Sequence, residues 1–134
     1  MELEIDSFIM GTESGEKMVA VIEDDESYRK AVQRLLKAAG FRVRSFASAE
    51  DFLSSGQQQM TGCLIADIQM PGMSGLDLQF KLNSDHSPIP TIFITAHGDE
   101  KMRLQAMRSG AVKFLEKPFD GETLLEGVRV ALEH

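Results

Sequence analysis

The segment CLIADIQMPGMSG (residues 63–75) carries an aspartate between an apolar run and a turn. Residues 63–66 are apolar and typical of a buried strand. Pro71 and Gly72 predict that the chain turns soon afterwards. Asp67 therefore ends a strand that looks buried, and the pattern of the rest of the chain explains why a carboxylate stands there.

Short apolar runs and helical patterns alternate along the chain on both sides of this segment. The predicted strands are residues 18–22, 42–46, 63–66, 91–94 and 111–115. The first predicted helix ends at Gly40, and the other four begin at Ser48, Ser74, Asp99 and Asp120. Three of the strands are apolar throughout, which favours a parallel sheet with helices on both faces. The predicted fold class is therefore α/β and doubly wound, with Met102, Ala106 and Met107 on the inner side of the fourth helix.

The composition excludes several functional classes. The chain has 134 residues and a formal net charge of -7. Nucleic acids and anionic membranes would repel this charge, so neither is expected as a direct partner. Cys63 is the only cysteine, which excludes an intrachain disulfide and is typical of an inert core thiol. The lack of a long apolar run and of a signal-peptide pattern predicts a cytoplasmic protein.

The first residues differ in composition from the rest of the chain. Residues 1–16 carry five acidic side chains and no basic ones. We expect residues 1–17 to form a flexible acidic extension, because such a segment has little apolar surface to bury. Residues 18–134 are expected to form a single domain.

Polar side chains collect where the predicted strands end. The carboxyl ends of the strands in a doubly wound sheet border the functional crevice. The residues at these ends are Glu23, Asp24, Asp25, Asp67, Thr95 and Lys117. Each has a simple structural explanation when taken alone, and Asp24 or Asp25, for example, can cap the first helix. Compatible groups at the ends of four strands nevertheless favour a functional site.

Such a group of residues favours phosphoryl chemistry that depends on a metal ion. Crowded carboxylates repel one another unless a hard cation neutralises them, and Mg²⁺ suits oxygen ligands. Asp67 would be the nucleophile that forms an aspartyl phosphate, Lys117 would supply positive charge, and Thr95 a hydroxyl donor. The turn after Asp67 keeps the backbone carbonyl of Gln69 close to the metal.

These residues resemble the receiver domains of two-component response regulators. The resemblance covers residues 18 to about 132 and rests on the pair Asp24-Asp25, on Asp67 with MPGMSG, and on Thr95-Ala96 and Lys117-Pro118-Phe119. It implies a flavodoxin-like fold with five parallel strands in the order 2-1-3-4-5, and a cis peptide bond before Pro118. It also implies Mg²⁺, or alternatively Mn²⁺, held by Asp24, Asp25, Asp67 and the Gln69 carbonyl, with Asp25 as the more direct ligand.

The resemblance further implies a partner and a conformational switch. A sensor histidine kinase would transfer a phosphoryl group from its phosphohistidine to Asp67. Phe114 would turn inward as Thr95 moves toward the phosphoryl group. The domain would then be a signalling phospho-acceptor that catalyses only its own phosphorylation and dephosphorylation.

Two segments are most like the nitrogen-fixation type of regulator, whose receivers usually precede a LuxR-type DNA-binding domain. They are TAHGD (residues 95–99) and EKPF (residues 116–119). Control of transcription is therefore expected if a DNA-binding domain follows in a longer protein. Phosphorylation is expected to promote dimerisation through the fourth helix, the fifth strand and the fifth helix.

Three other functions are alternatives. A stand-alone receiver would act in a phosphorelay or by binding a protein. A phosphatase of the haloacid dehalogenase type also forms an aspartyl phosphate, but it needs a second aspartate where this chain has Gln69. A binding module that does not depend on phosphorylation is disfavoured, because Asp67, Thr95 and Lys117 are all present.

Overall fold

The computed structural model describes residues 17–133, in which five strands alternate with five α-helices. The strands are β1 (Met18–Ile22), β2 (Val43–Phe46), β3 (Thr61–Asp67), β4 (Thr91–Thr95) and β5 (Lys113–Glu116). The helices are α1 (Glu26–Ala38), α2 (Ala49–Ser54), α3 (Gly75–Ser84), α4 (Glu100–Arg108) and α5 (Gly121–Leu132). Apart from Lys17, the extension predicted for residues 1–17 lies outside the described residues.

The five strands are all parallel and form one sheet in the order β2-β1-β3-β4-β5. The predicted doubly wound α/β fold is therefore confirmed, as is the strand order that the resemblance implied. One core lies between the sheet and α2, α3 and α4, with the buried residues Phe52, Leu78 and Ala106. A second core lies between the opposite face and α1 and α5.

The central strand β3 contributes apolar side chains to both cores. Cys63 and Ile65 face the core under α1 and α5, whereas Leu64 and Ala66 face the core under α2, α3 and α4. Successive side chains of a strand point to opposite faces, so a strand that is covered on both sides must be apolar throughout. Burial raises the pKa of the Cys63 thiol to about 12, which keeps it protonated and unreactive.

The helices begin where their capping residues predict. The side-chain oxygens of Ser48, Ser74 and Asp99 each accept a hydrogen bond from a backbone N–H in the first turn of the helix that follows. Asp120 also precedes its helix, α5, but its side chain accepts no backbone hydrogen bond. Short polar side chains at these positions therefore mark the helix starts even where the capping bond is not made.

Some predictions about the elements were wrong in detail, including the fifth strand, which was predicted over residues 111–115 and is Lys113–Glu116. The central strand is longer than the predicted residues 63–66, because Thr61 pairs with Met18 and Asp67 pairs with Ile94. Met107 was expected on the inner side of α4, but it is 39% exposed, whereas the neighbouring Ala106 is fully buried. Each residue advances about 100° around a helix, so the residue next to one that points at the sheet points away from it.

None of the helices within residues 17–133 is both long enough and apolar enough to cross a membrane.

Candidate functional site

The strand order brings the predicted polar residues to one edge of the sheet. Asp67 is the last residue of the central strand β3, and Thr95 is the last residue of the neighbouring β4. Glu23 follows β1 on the other side of β3, and Lys117 follows β5. The carboxyl ends of adjacent parallel strands lie side by side, so residues that are far apart in sequence become neighbours.

Lys117 joins two buried carboxylates at this edge. Its Nζ lies 2.7 Å from Glu23 Oε1 and 2.9 Å from Asp67 Oδ2. The Lys117 side chain is 15% exposed, and those of Glu23 and Asp67 are 1% and 7% exposed. Charge-assisted hydrogen bonds of this length are strong in a region that excludes water. The ammonium group is therefore held directly beside the predicted phospho-acceptor.

The charges at this edge perturb one another. Burial raises the pKa of Glu23 above its ordinary value, and the hydrogen bond from Lys117 offsets only part of this rise. Burial acts to lower the pKa of Lys117, but its hydrogen bonds to Glu23 and Asp67 raise it overall. Lys117 thus stays positively charged beside the two carboxylates.

The carboxylates that the fold brings together differ from the predicted metal set. Glu23, Asp24 and Asp67 each offer an oxygen, and these oxygens lie within 4.8 Å of one another. Asp25, which was predicted as the more direct ligand, is not in this group, and its Oδ1 caps α1 by accepting from Tyr28 N at 3.1 Å. The group thus contains Glu23, which the prediction left out of the metal set, and Asp25 makes the helix cap that was its alternative explanation. The metal role of Asp25 stays a prediction.

The grouped carboxylates have the chemistry that a hard divalent cation requires. Three carboxylates lie together at the edge of the sheet, and Lys117 pairs with two of them, Glu23 and Asp67. Mg²⁺ and Mn²⁺ prefer carboxylate and carbonyl oxygens, and Mg²⁺ is commonly bound through one or two carboxylates with water completing its shell. Glu23, Asp24 and Asp67 therefore fit such an ion.

The turn after β3 holds both oxygens of Asp67. Oδ2 accepts from Lys117, and Oδ1 accepts from the backbone N–H of Gln69 at 2.9 Å. The turn closes where Gly75 N donates to Ile68 O at 3.1 Å, at the start of α3. The protein consequently holds the side chain of Asp67 through both of its oxygens.

We predict that Gly75→Ala destabilises the fold at the base of this site. A Cβ at Gly75 would lie 2.6 Å from the carbonyl oxygen of Asp67. Its nearest neighbours are all backbone atoms of Asp67 and Ile68, so the clash could be relieved only by moving the backbone. The free energy of unfolding should fall by roughly 1–3 kcal/mol, as for other overpacked sites. Urea denaturation would measure the change, with the exposed Ser84→Ala in the same helix as the control. Equal stability of the two variants would contradict this role for Gly75.

Thr95 and Phe114 lie next to each other at the end of β4 and in β5. The Thr95 side chain is fully buried, and its hydroxyl donates to Gln69 Oε1 at 3.4 Å and accepts from His97 N at 3.3 Å. A Cβ at Gly98 would lie 2.8 Å from Phe114 Cζ and 2.9 Å from Thr95 Cγ2. The backbone at Gly98 therefore touches both side chains, which places the predicted switch pair in one packed group.

One feature of this edge is not evident in the sequence pattern. The ring of Tyr28, in the first turn of α1, lies over Lys117, with the ring centroid 4.3 Å from Nζ. Tyr28 is the only tyrosine in the chain, which is the one sequence signal that could have singled it out. Its helical spacing with Val32 and Leu35 suggests only a core position. The cis peptide bond that the resemblance implied between Lys117 and Pro118 is present.

Comparisons with known proteins show the family to which the chain is related. Residues 19–129 match the family model described as the response regulator receiver domain. The chain is similar to nodulation protein W of Bradyrhizobium diazoefficiens, with 45% identity over 123 residues that cover 91% of this chain and 54% of that protein. It is also similar to the transcriptional regulatory protein FixJ of Rhizobium meliloti, with 40% identity over 116 residues that cover 87% of this chain and 57% of FixJ.

FixJ-N and the response regulator StyR are among the solved structures that share the fold. The crystal structure of FixJ-N has a TM-score of 0.81 and 39% identity, and the match covers 89% of this chain and 95% of that one. The response regulator StyR has a TM-score of 0.82 and 43% identity, with 88% of this chain and 60% of StyR covered. The chain spans about half the length of the curated relatives that it matches.

Proposed function

This chain belongs to the family of response regulator receiver domains, and we propose that it accepts a phosphoryl group on Asp67. The donor is the phosphohistidine of a sensor histidine kinase. The observation that carries the proposal is the placement of Asp67 at the end of the central strand, with Lys117 Nζ 2.9 Å from its Oδ2. A carboxylate that is held beside a fixed positive charge is suited to accept a phosphoryl group.

The transfer exchanges one bond to phosphorus for another. A carboxylate oxygen of Asp67 attacks phosphorus, the bond between phosphorus and the imidazole nitrogen breaks, and the imidazole keeps the electron pair. Lys117 supplies positive charge to the phosphoryl oxygens as negative charge develops on them. The Gln69 N–H, which donates to Asp67 Oδ1 at 2.9 Å, orients the carboxylate so that its other oxygen is presented for attack.

The metal ion in this proposal is Mg²⁺, with Mn²⁺ as an alternative. Glu23, Asp24 and Asp67 would hold it, together with the backbone carbonyl of Gln69. When bound, it would supply charge stabilisation to the phosphoryl oxygens. The support is the group of carboxylate oxygens within 4.8 Å of one another. Asp25 is assigned to the cap of α1 instead.

We further propose that Thr95 and Phe114 convert phosphorylation into a change of surface. The Thr95 hydroxyl makes a long, weak hydrogen bond of 3.4 Å to Gln69 and is free to exchange it for a phosphoryl oxygen. Hydrogen bonds to charged groups contribute about 1.5–3 kcal/mol, so new contacts from Thr95 and Lys117 approach the roughly 5.5 kcal/mol that inverts a 1:99 population. Phe114 would turn inward with Thr95.

Incubation of the protein with acetyl phosphate, with and without Mg²⁺, tests the proposal. Intact-protein mass spectrometry should show one phosphoryl adduct that requires Mg²⁺. Continuous release of inorganic phosphate without any adduct would instead support the phosphatase alternative. A protein that neither gains an adduct nor releases phosphate would support a binding module that does not depend on phosphorylation.

The output of the switch is proposed to be control of transcription in a longer protein. The chain spans about half of relatives such as FixJ, which is named a transcriptional regulatory protein. A receiver that acts alone in a phosphorelay is the alternative. In both cases the domain is a signalling phospho-acceptor.

Phosphorylation is predicted to promote dimerisation through α4, β5 and α5. Leu104 and Met107 are each 39% exposed on α4, where Arg103 is paired with Glu100. Apolar side chains with mixed charges around them suit a symmetric contact. Sedimentation of the protein with and without beryllofluoride should show a monomer that becomes a dimer, and Arg103→Glu should weaken the dimer.

The control for this prediction is Arg42→Glu. It makes the same change of charge at an exposed position just before β2, the edge strand farthest from β5, and should leave the dimer intact. A wild-type protein that stays monomeric at high concentration when fully modified would exclude self-association. The same face would then be assigned to a different protein partner.

A further inference from the structure

We infer that Tyr28 is a positioning residue for phosphoryl transfer, because its ring holds the Lys117 ammonium group beside Asp67. The inference rests on the proposed function of Asp67. Lys117 Nζ lies 4.3 Å from the centroid of the Tyr28 ring, while the same atom contacts Glu23 Oε1 and Asp67 Oδ2. A cation over the face of a tyrosine is attracted by the ring quadrupole, most strongly where water is excluded.

The Tyr28 ring is itself fixed from two directions. At the backbone, Tyr28 N donates to Asp25 Oδ1 at 3.1 Å, so the cap of α1 fixes the position of the Tyr28 backbone. At the ring, Phe119 makes an edge contact with a centroid distance of 5.9 Å and an interplanar angle of 86°. Tyr28 and Phe119 also belong to the same packed core. The start of α1 and the segment after Lys117 therefore meet at this ring.

An aromatic ring can hold the Lys117 ammonium group without adding negative charge to the site, which a third carboxylate could not do. Lys117 already pairs with Glu23 and Asp67, and a further negative charge would oppose an incoming phosphoryl group. The ring attracts the ammonium group without adding a formal charge. Its attraction also does not depend on which oxygen Lys117 contacts, so it persists when Lys117 exchanges a carboxylate oxygen for a phosphoryl oxygen.

The ring, and not the hydroxyl group, carries this role. Within residues 17–133, the Tyr28 hydroxyl makes no hydrogen bond to the protein. Removing the hydroxyl should therefore leave Lys117 in place, whereas removing the ring should release it. This difference separates a positioning role from general packing.

The experiment compares Tyr28→Phe with Tyr28→Leu. The rate of adduct formation from acetyl phosphate at saturating Mg²⁺ should fall roughly five-fold in Tyr28→Leu, within the range that one cation–π contact supplies. Tyr28→Phe should stay within about two-fold of the wild type. Phe41→Leu is the matched control. Phe41 packs in the same core but follows the C-terminal end of α1, whereas Tyr28 lies in its first turn, so Phe41→Leu should keep the wild-type rate. Equal rates in Tyr28→Phe and Tyr28→Leu would overturn the inference.

A spectroscopic measurement tests the geometry without any phosphorylation. The ε-methylene protons of Lys117 should be shifted upfield by the ring current in the wild type and in Tyr28→Phe, and the shift should be lost in Tyr28→Leu. Unshifted protons in the wild type would overturn the inference even if Tyr28→Leu does not fold. A wild type that shows the shift but forms no adduct would contradict the proposed function instead.

Discussion

Replacing Asp67 with asparagine is expected to reduce phosphorylation to the background level. The amide has nearly the same shape as the carboxylate, but it lacks the charged oxygen that attacks phosphorus and that pairs with Lys117 at 2.9 Å. Asparagine can still accept the hydrogen bond from Gln69 N, so the turn after β3 should keep its structure. Intact-protein mass spectrometry after incubation with acetyl phosphate and Mg²⁺ would measure the loss.

The control for this variant is Asp51→Asn. Asp51 is an exposed acid in the first turn of α2, and its backbone N–H, not its side chain, takes part in the cap made by Ser48. The same change of charge there should leave the adduct unchanged. An undiminished adduct on Asp67→Asn would contradict the proposed role of Asp67 and would indicate that another carboxylate at the edge of the sheet is the phospho-acceptor.

Substitution of Asp24 is expected to weaken Mg²⁺ binding far more than substitution of its neighbour Asp25. Asp24 contributes an oxygen to the carboxylate group with Glu23 and Asp67, whereas Asp25 caps α1. Loss of a direct ligand should lower the affinity by at least the roughly 10–100-fold that loss of an outer partner costs. Asparagine caps a helix about as well as aspartate, so Asp25→Asn should retain both the cap and the affinity.

Titration of each variant with Mg²⁺, followed by the amide signals in NMR spectra, would separate the two positions. Asp25→Ala extends the comparison, because it should cost about 1 kcal/mol of stability through the lost cap and still bind Mg²⁺. If Asp25→Asn loses as much affinity as Asp24→Asn, the original assignment of Asp25 as a ligand would be restored. Glu23→Gln should then keep the wild-type affinity.

The alternation of strands and helices could be predicted from the sequence because its signals are local. The apolar runs, the capping residues Ser48, Ser74 and Asp99, and the turn after Asp67 each act within a few residues along the chain. Met107 shows the limit of this reasoning, because an apolar residue at the boundary of a helical stripe can lie on either side of it. The packing of α4 against the sheet decides which side it takes.

The sequence by itself determined that Asp67, Thr95 and Lys117 share an edge, because parallel strands place their carboxyl ends together. Only the tertiary structure decided which of the consecutive acids at positions 23–25 lie close to Asp67. After β1 each successive side chain leaves the backbone in a different direction, and the turn into α1 aims Glu23 and Asp24 at the site and Asp25 at the helix. The pairing of Glu23 with Lys117 spans 94 positions, and the contact of Tyr28 with Lys117 joins the same two segments. No local pattern encodes such contacts, because they exist only once the two segments are packed on the same sheet.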